Sequence, residues 1–258
     1  MAGAVNNRGG GGRGGAPKPR FAIRLGKLVM RALDAFLARH SRIATTPFID
    51  RSAFAWVPVL EAEAAAIRAE LNAIMRHPQD IPTFHEMSPD QVRISKGDNW
   101  RTFVMRVFGH RIDDNCAACP NTAALIDALP GVQNAWFSIL APGYHIPPHR
   151  GPTKALVRCH LGLRIPANAA DCWIRVGDQV RQWEDGRCLL FDDTFEHEVR
   201  NDTAESRVVL FLDVERPLNG AGQACRKLVL ALFRATAYVK RPLANIKRWN
   251  QGLREGAD

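Results

Sequence analysis

Short alternating strands packed as a sandwich or jelly roll, with helices over one face, are the fold this sequence predicts. Three observations carry that expectation. Seven strand-like runs, 134–140, 155–165, 171–176, 179–183, 187–191, 195–201 and 207–215, crowd into about eighty residues. Turn signals separate them, and Asp185-Gly186 reads as a tight hairpin between the fourth and fifth. The length of 258 residues, with 46% hydrophobic and 24% charged, suits one good core rather than two full domains.

Taken in order, residues 1–20 are Gly- and Arg-rich and are expected to be disordered, because they carry too little apolar surface to bury. In the next stretch Phe21, Leu25, Leu28, Val29, Leu33, Phe36 and Leu37 recur at helical spacing. Arg24, Lys27, Arg31 and Arg39 take positions between them, so 21–43 reads as a basic amphipathic segment. Such a helix either lies on a membrane interface or packs back on the domain. Thr45-Thr46-Pro47 ends it, and 53–77 reads as one further helix begun after Pro58. A polar, proline-punctuated loop leads to an alternating strand at 100–108 and a short helix at 121–129, stopped by Pro130-Gly131. The domain so outlined spans 44–218. Beyond it, 219–258 mirrors the N-terminal helix, apolar at Leu228, Val229, Leu232, Phe233 and Tyr238 and flanked by Lys240, Arg241, Lys247 and Arg248.

The net charge of +9 sits at the ends. Residues 1–43 hold nine basic and one acidic residue, 219–258 eight and two, which leaves 9 − 8 − 6 = −5 for the centre. That split argues against nucleic acid as a partner of the central domain. It fits two cationic arms on an anionic membrane surface, or solvated tails with no partner. No apolar leader or spanning segment is visible, so a cytoplasmic protein, peripheral on a membrane surface, is expected. Six cysteines in a chain of this length predict free thiols, and the lone Cys116/Cys119 pair reads as a structural loop.

The candidate chemistry follows from strand phase, since side chains alternate faces. Phe195, His197, Val199 and Asn201 share one face, while Glu196, Glu198, Arg200 and Asp202 form a solvent face, so His197 points inward. Arg207, Val209, Phe211 and Asp213 share a face of the last strand, where both faces are apolar enough to bury Arg207. A buried guanidinium needs an anion, whether Asp192, Asp193 or the carboxylate of a small molecule. Leu156, Arg158, His160 and Gly162 also align. Arg158 and Arg207 with His149, His160 and His197 then make an excess of positive charge without matching inward carboxylates. A metal taking neutral imidazoles and a dianionic ligand would resolve that excess; iron, zinc, copper and nickel all suit imidazole. A carboxylate two residues after the first histidine, expected of a non-haem iron site, is replaced by Gly151.

Four blocks carry a resemblance: His149-Arg-Gly-Pro-Thr, Arg158-Cys-His-Leu-Gly-Leu, Phe191-Asp-Asp-Thr-Phe-Glu-His197-Glu-Val, and Arg207 with Asp213-Val. Together they resemble the aspartyl/asparaginyl β-hydroxylase family over about residues 134–218. The resemblance implies a double-stranded β-helix (a cupin-like jelly roll) and a dioxygenase using Fe(II), 2-oxoglutarate and O2. It implies that His149 and His197 ligate the iron without a carboxylate, as in the peptide-hydroxylating members. By the same resemblance Arg207 and Ser138 would hold the distal carboxylate of 2-oxoglutarate, and Arg158 and His160 its iron-proximal end. Asp193 would be an acceptor beside the metal. The peptide hydroxylases carry an arginine at the position of Leu156, and this difference disfavours an acidic substrate side chain and is compatible with an apolar one. TTPF at 45–48, the C-P-x-T-x-x-L stretch from Cys119 and DVERPL from Asp213 are similar to the family's bacterial lipid A hydroxylases. The expected activity is therefore hydroxylation of a lipid acyl chain. The alternatives are peptidyl Asp/Asn β-hydroxylation and a non-catalytic membrane-bound adaptor.

Overall fold

The structure, a computed structural model, describes residues 20–255. The stretch 1–19 and the last three residues lie outside it, so the expectation of a disordered tail falls outside the described residues. In chain order the elements are α1 (Arg20–Arg39), β1 (Phe48–Ile49), α2 (Val57–Ala62), α3 (Ala64–Ile74) and α4 (Phe84–Met87). Then come β2 (Trp100–Val107), β3 (His110–Arg111), α5 (Asp113–Ala118), α6 (Pro120–Ala128), β4 (Val132–Leu140) and β5 (Tyr144–His149). β6 (Leu156–Arg164), β7 (Cys172–Val176), β8 (Gln179–Gln182), β9 (Cys188–Phe191), β10 (His197–Asn201) and β11 (Arg207–Glu215) follow, with α7 (Gly220–Ala235) and α8 (Ala237–Glu255) closing the chain.

The strands form a seven-stranded sheet, β1-β9-β6-β11-β4-β2-β3, and a four-stranded sheet, β5-β10-β7-β8. Every pairing is antiparallel. From β4 to β11 the chain passes back and forth between the sheets, with only β7 and β8 consecutive in one. That winding is the double-stranded β-helix. Ile146, Ile174, Val176 and Val199 of the small sheet pack with Leu140, Phe191 and Val209 of the large one. The large sheet is buried on its other face as well, where Phe137, Cys159, Leu161, Leu210 and Leu212 meet Leu60, Ile67, Leu71 and Ile126 of the helices. Covered on both faces, β11 carries apolar residues at both phases of its alternation.

Several expectations are corrected. Asp185-Gly186 is no hairpin, because β8 and β9 belong to different sheets. Gly186 instead donates to Gly162 O at 2.9 Å, and its φ of +69° turns the chain from one sheet to the other. The true tight hairpin is β7–β8, with Val176 opposite Gln179 and Gly177 at φ +61°. The helix expected over 53–77 is split at Glu63, which leaves helical geometry at φ −87°, ψ 2°. Glu61, just before the break, accepts from Cys188 N at 2.8 Å and so ties α2 to β9. Residues 195 and 196 belong to a turn, Phe195 N donating to Asp192 O, so β10 begins at His197. The strand β5 escaped notice because Pro147 and Pro148 lie in it; as an edge strand it tolerates them. At the C-terminus the expected basic helical segment is broken at Thr236 and continues as α8 to Glu255.

α1 packs back on the domain through Leu37, Leu33 and Met30, in one cluster with Val229, Leu230, Val239 and Ile246 of α7 and α8. Its opposite side still exposes Leu28, Val29 and Phe36, and α7 exposes Leu228 and Leu232. All six cysteines are free, and burial pushes the Cys119 thiol up to about 12, which fits the structural reading of the pair. No helix among the described residues is long and apolar enough to cross a membrane.

Candidate active site

His149 ends β5 and His197 begins β10, and the two are direct partners across that antiparallel pair. A register that sets them opposite one another turns a separation of forty-eight residues into rings 4.1 Å apart. Each ring is fixed in the same way. His149 Nδ1 lies 2.8 Å from Pro147 O, and His197 Nδ1 lies 3.0 Å from Phe195 O. A carbonyl only accepts, so both Nδ1 atoms carry the proton and both Nε2 lone pairs are free. Burial pushes His149 down to about 4 and His197 well below the ordinary imidazole range, aided for His197 by His149 and Arg158. Two neutral imidazoles with bare Nε2 atoms are what a divalent metal needs.

Gly151 follows two residues after His149. A Cβ there would fall 1.9 Å from Asp193 Oδ2, and Gly151 N donates to Asp193 O at 2.7 Å. The carboxylate missing from position 151 has its space filled by Asp193. Burial raises the Asp193 carboxyl; Arg158 opposes the rise, and Asp213 and Asp192 add to it.

A small cavity lies between the sheets, with His149 and His197 in its wall and Arg207, Ser138, Arg158, His160 and Phe211 around it. Arg207 is 1% exposed and pairs with no carboxylate among the described residues. Its Nε and one terminal nitrogen have no hydrogen-bond partner among the described residues. The indole of Trp183 lies 4.6 Å beneath the guanidinium, and burial lowers Arg207 to about 10, still cationic at neutral pH. A cation–π contact of about 2 kcal/mol leaves most of the several-kcal/mol cost of an unpaired buried charge standing. His160 adds a second orphan: Trp183 Nε1 donates to its Nδ1 at 3.2 Å, so Nε2 bears a proton with no acceptor. Ser138 Oγ accepts from Trp100 Nε1 at 3.0 Å and keeps its own proton to offer. This donor-rich, acceptor-poor cavity fits a carboxylate-bearing ligand beside a metal.

One expectation of the charge balance fails here. Arg158 is matched: its Nε donates to Asp213 Oδ1 at 2.9 Å, and a terminal nitrogen lies 2.8 Å from Asp193 Oδ2. Asn134 Nδ2 steadies Asp213 at 2.9 Å, and the guanidinium lies 4.2 Å over Phe211. The sequence phase already set Asp213 on the face of Arg207, but only the β6–β11 register, with Asp213 opposite Arg158, shows which arginine it serves. The sheet excess is therefore one cation, Arg207, and not two. Asp192 is not its partner either: Asp192 holds Arg216 at 2.6 Å and Lys154 at 2.7 Å, which keep its carboxyl below the usual range despite burial.

Residues 61–217 match the aspartyl/asparaginyl β-hydroxylase family. The chain belongs to that family. It is 36% identical to an ornithine lipid ester-linked acyl 2-hydroxylase of Rhizobium tropici, over 91% of this chain and 83% of the relative. It is also 33% identical to the human aspartyl/asparaginyl β-hydroxylase, over 62% of this chain but 21% of that longer protein. A solved prolyl-4-hydroxylase of Pseudomonas putida aligns over 72% of this chain and 98% of its own, at 17% identity and a TM-score of 0.38. By family the chain is a hydroxylase.

Proposed function

We propose that this hydroxylase depends on Fe(II) and 2-oxoglutarate and acts on the acyl chain of a membrane lipid. The observation that carries the first half is Arg207, a buried cation with no acceptor among the described residues, in one cavity with two imidazoles whose Nε2 lone pairs are free. In this reading His149 and His197 hold the iron, and Arg207 and Ser138 grip the distal carboxylate of the keto-acid. His160 and Arg158 line the same cavity near its other end. Asp193 holds water beside the metal. When bound, the iron supplies the oxidant from O2: one oxygen atom enters a C–H bond and the other leaves in succinate as CO2 is lost. The protein's own work is to orient the keto-acid, keep the imidazoles neutral and exclude bulk water.

The lipid half is supported by the Rhizobium tropici relative, which matches nearly the whole chain, and by Leu156, an apolar residue in the wall beside the site. Position 156 offers a substrate Asp side chain no cation, and the neighbouring Arg158 is already matched by two carboxylates. A non-catalytic adaptor gains nothing from an unpaired buried guanidinium. On this reading the exposed Leu28, Val29, Phe36, Leu228 and Leu232, ringed by Arg31, Arg39 and Lys227, form the face that rests on the anionic inner leaflet of the cytoplasmic membrane.

The test incubates the purified protein with Fe(II), 2-oxoglutarate, O2 and ornithine lipid, and follows succinate together with lipid mass. Succinate and a one-oxygen gain are expected, both abolished in His149→Ala and Arg207→Ala. Succinate raised instead by an Asp-containing peptide, with the lipid unchanged, would overturn the lipid assignment.

A further inference from the structure

Beside the keto-acid cavity, and sharing His149, Arg158, Trp100 and Phe211 with it, runs a second and larger channel of about 1030 Å³ including its open mouth. Its floor is the inner face of the large sheet. Trp136 of β4 stacks on Phe211 of β11 at 3.7 Å and 17°, with Val104 of β2 opposite Trp136 in register. The end wall is Phe84 against Trp100, ring centroids 4.2 Å apart. The roof comes from outside the family match, which stops at residue 217: α8 supplies Tyr238, Pro242 and Ile246. Away from Arg150, Arg158, Asp193 and Asp213 the wall is largely apolar and makes a good seat for methylenes.

One group in that roof has work left to do. The Tyr238 ring is set edge-on to Phe108 at 6.0 Å and to Phe233 at 5.8 Å. Its hydroxyl makes no hydrogen bond to any described residue, and the charges acting on it are those of Arg158, Asp193 and Asp213 in the channel wall, together with Asp90. Burial pushes the phenol up to about 12, so it remains a donor across the working range of pH. Tyr238 lines the channel, so its hydroxyl is available there as a donor.

Building on the lipid reading above, we infer that the α7–α8 hairpin roofs the acyl-chain channel and that the Tyr238 hydroxyl donates to the carbonyl of the substrate acyl chain. Anchoring the carbonyl at the inner end fixes how far the chain advances, and so which methylene stands before the iron. Position 2, one bond from the carbonyl, is the one such an anchor selects. Thr102 Oγ1 and Trp136 Nε1 are buried in the same channel without partners among the described residues, but both sit in the family-matched barrel. Tyr238 is the donor that the roof adds, and the specificity is assigned to it.

Tyr238→Phe keeps the ring between Phe108 and Phe233 and removes only the donor. With ornithine lipid as substrate, kcat/KM should fall roughly tenfold. Succinate formed per hydroxylated lipid should rise several-fold, and fragmentation should show hydroxyl groups spread beyond carbon 2. Ile246→Trp, which narrows the roof, should shift preference toward shorter acyl chains. Unchanged coupling and position in Tyr238→Phe, or the same losses in Trp136→Phe instead, overturns the anchor. Unchanged chain-length preference in Ile246→Trp overturns the roof. A wild-type protein that hydroxylates no lipid overturns the lipid reading and the anchor with it, whereas an active wild type with an indifferent Tyr238→Phe overturns the anchor alone.

Discussion

The histidine pair owes its readiness for a metal to burial and to two backbone carbonyls, and this has a measurable sign. Folding lowers the imidazole values, so the stability that the neutral rings contribute is present above their unfolded value. It is lost as pH falls through the folded one, about 4 for His149. Metal binding reports the same fact more directly. At pH 6 two ordinary imidazoles would surrender about 1.5 protons per metal. This pair should surrender fewer than about 0.2. Co(II) titration calorimetry in buffers of differing ionisation enthalpy reads the number, in Asp193→Asn so that the raised carboxyl does not contribute. A release above one proton would mean that the rings are solvated and charged. At this scale much was legible: the phase of β10 turned His197 inward, and the apolar flanks of Arg207 buried it. What strand phase could not show was partnership. Asp213 and Arg158 lie fifty-five residues apart and meet only through the register of two neighbouring strands.

Among the elements, α1 does more than cover the core. Asp34 Oδ1, on its inner side, accepts from Lys154 N at 2.8 Å and from Thr153 Oγ1 at 3.1 Å. It thereby fastens the loop that follows His149 and carries Gly151. Burial raises this carboxyl, and the bonds to Lys154 and Thr153 hold the rise back. Asp34→Ala leaves a buried amide unpaired, a loss of about 1–3 kcal/mol. Hydrogen exchange at 151–155 should accelerate and the iron affinity should weaken; protection equal to wild type would show that the loop is held from elsewhere. Helical period found α1 because its spacing is regular and long. Period failed for β5, where Pro147 and Pro148 mask a strand, and for α2–α3, where a break at Glu63 interrupts an otherwise continuous apolar pattern.

Across the whole molecule the charge is divided, +8 before residue 44 and +6 after 218 against −5 between. The exposed apolar side chains of α1 and α7 stand among the basic ends. Binding to vesicles containing phosphatidylglycerol should therefore weaken as salt rises, and Leu28→Glu with Leu232→Glu should reduce it about tenfold or more. Sedimentation with such vesicles measures it; equal binding by the double variant would leave this face without a membrane role. The amino-acid order alone determined the family, the jelly-roll class and the inward histidine and arginine, because strand alternation and motif spacing are local properties of the chain. The three-dimensional packing decided which carboxylate answers which guanidinium, that Asp193 fills the space beside Gly151, and that the C-terminal helices wall a channel. Those outcomes depend on registers and crossings between distant segments, and no local period encodes them.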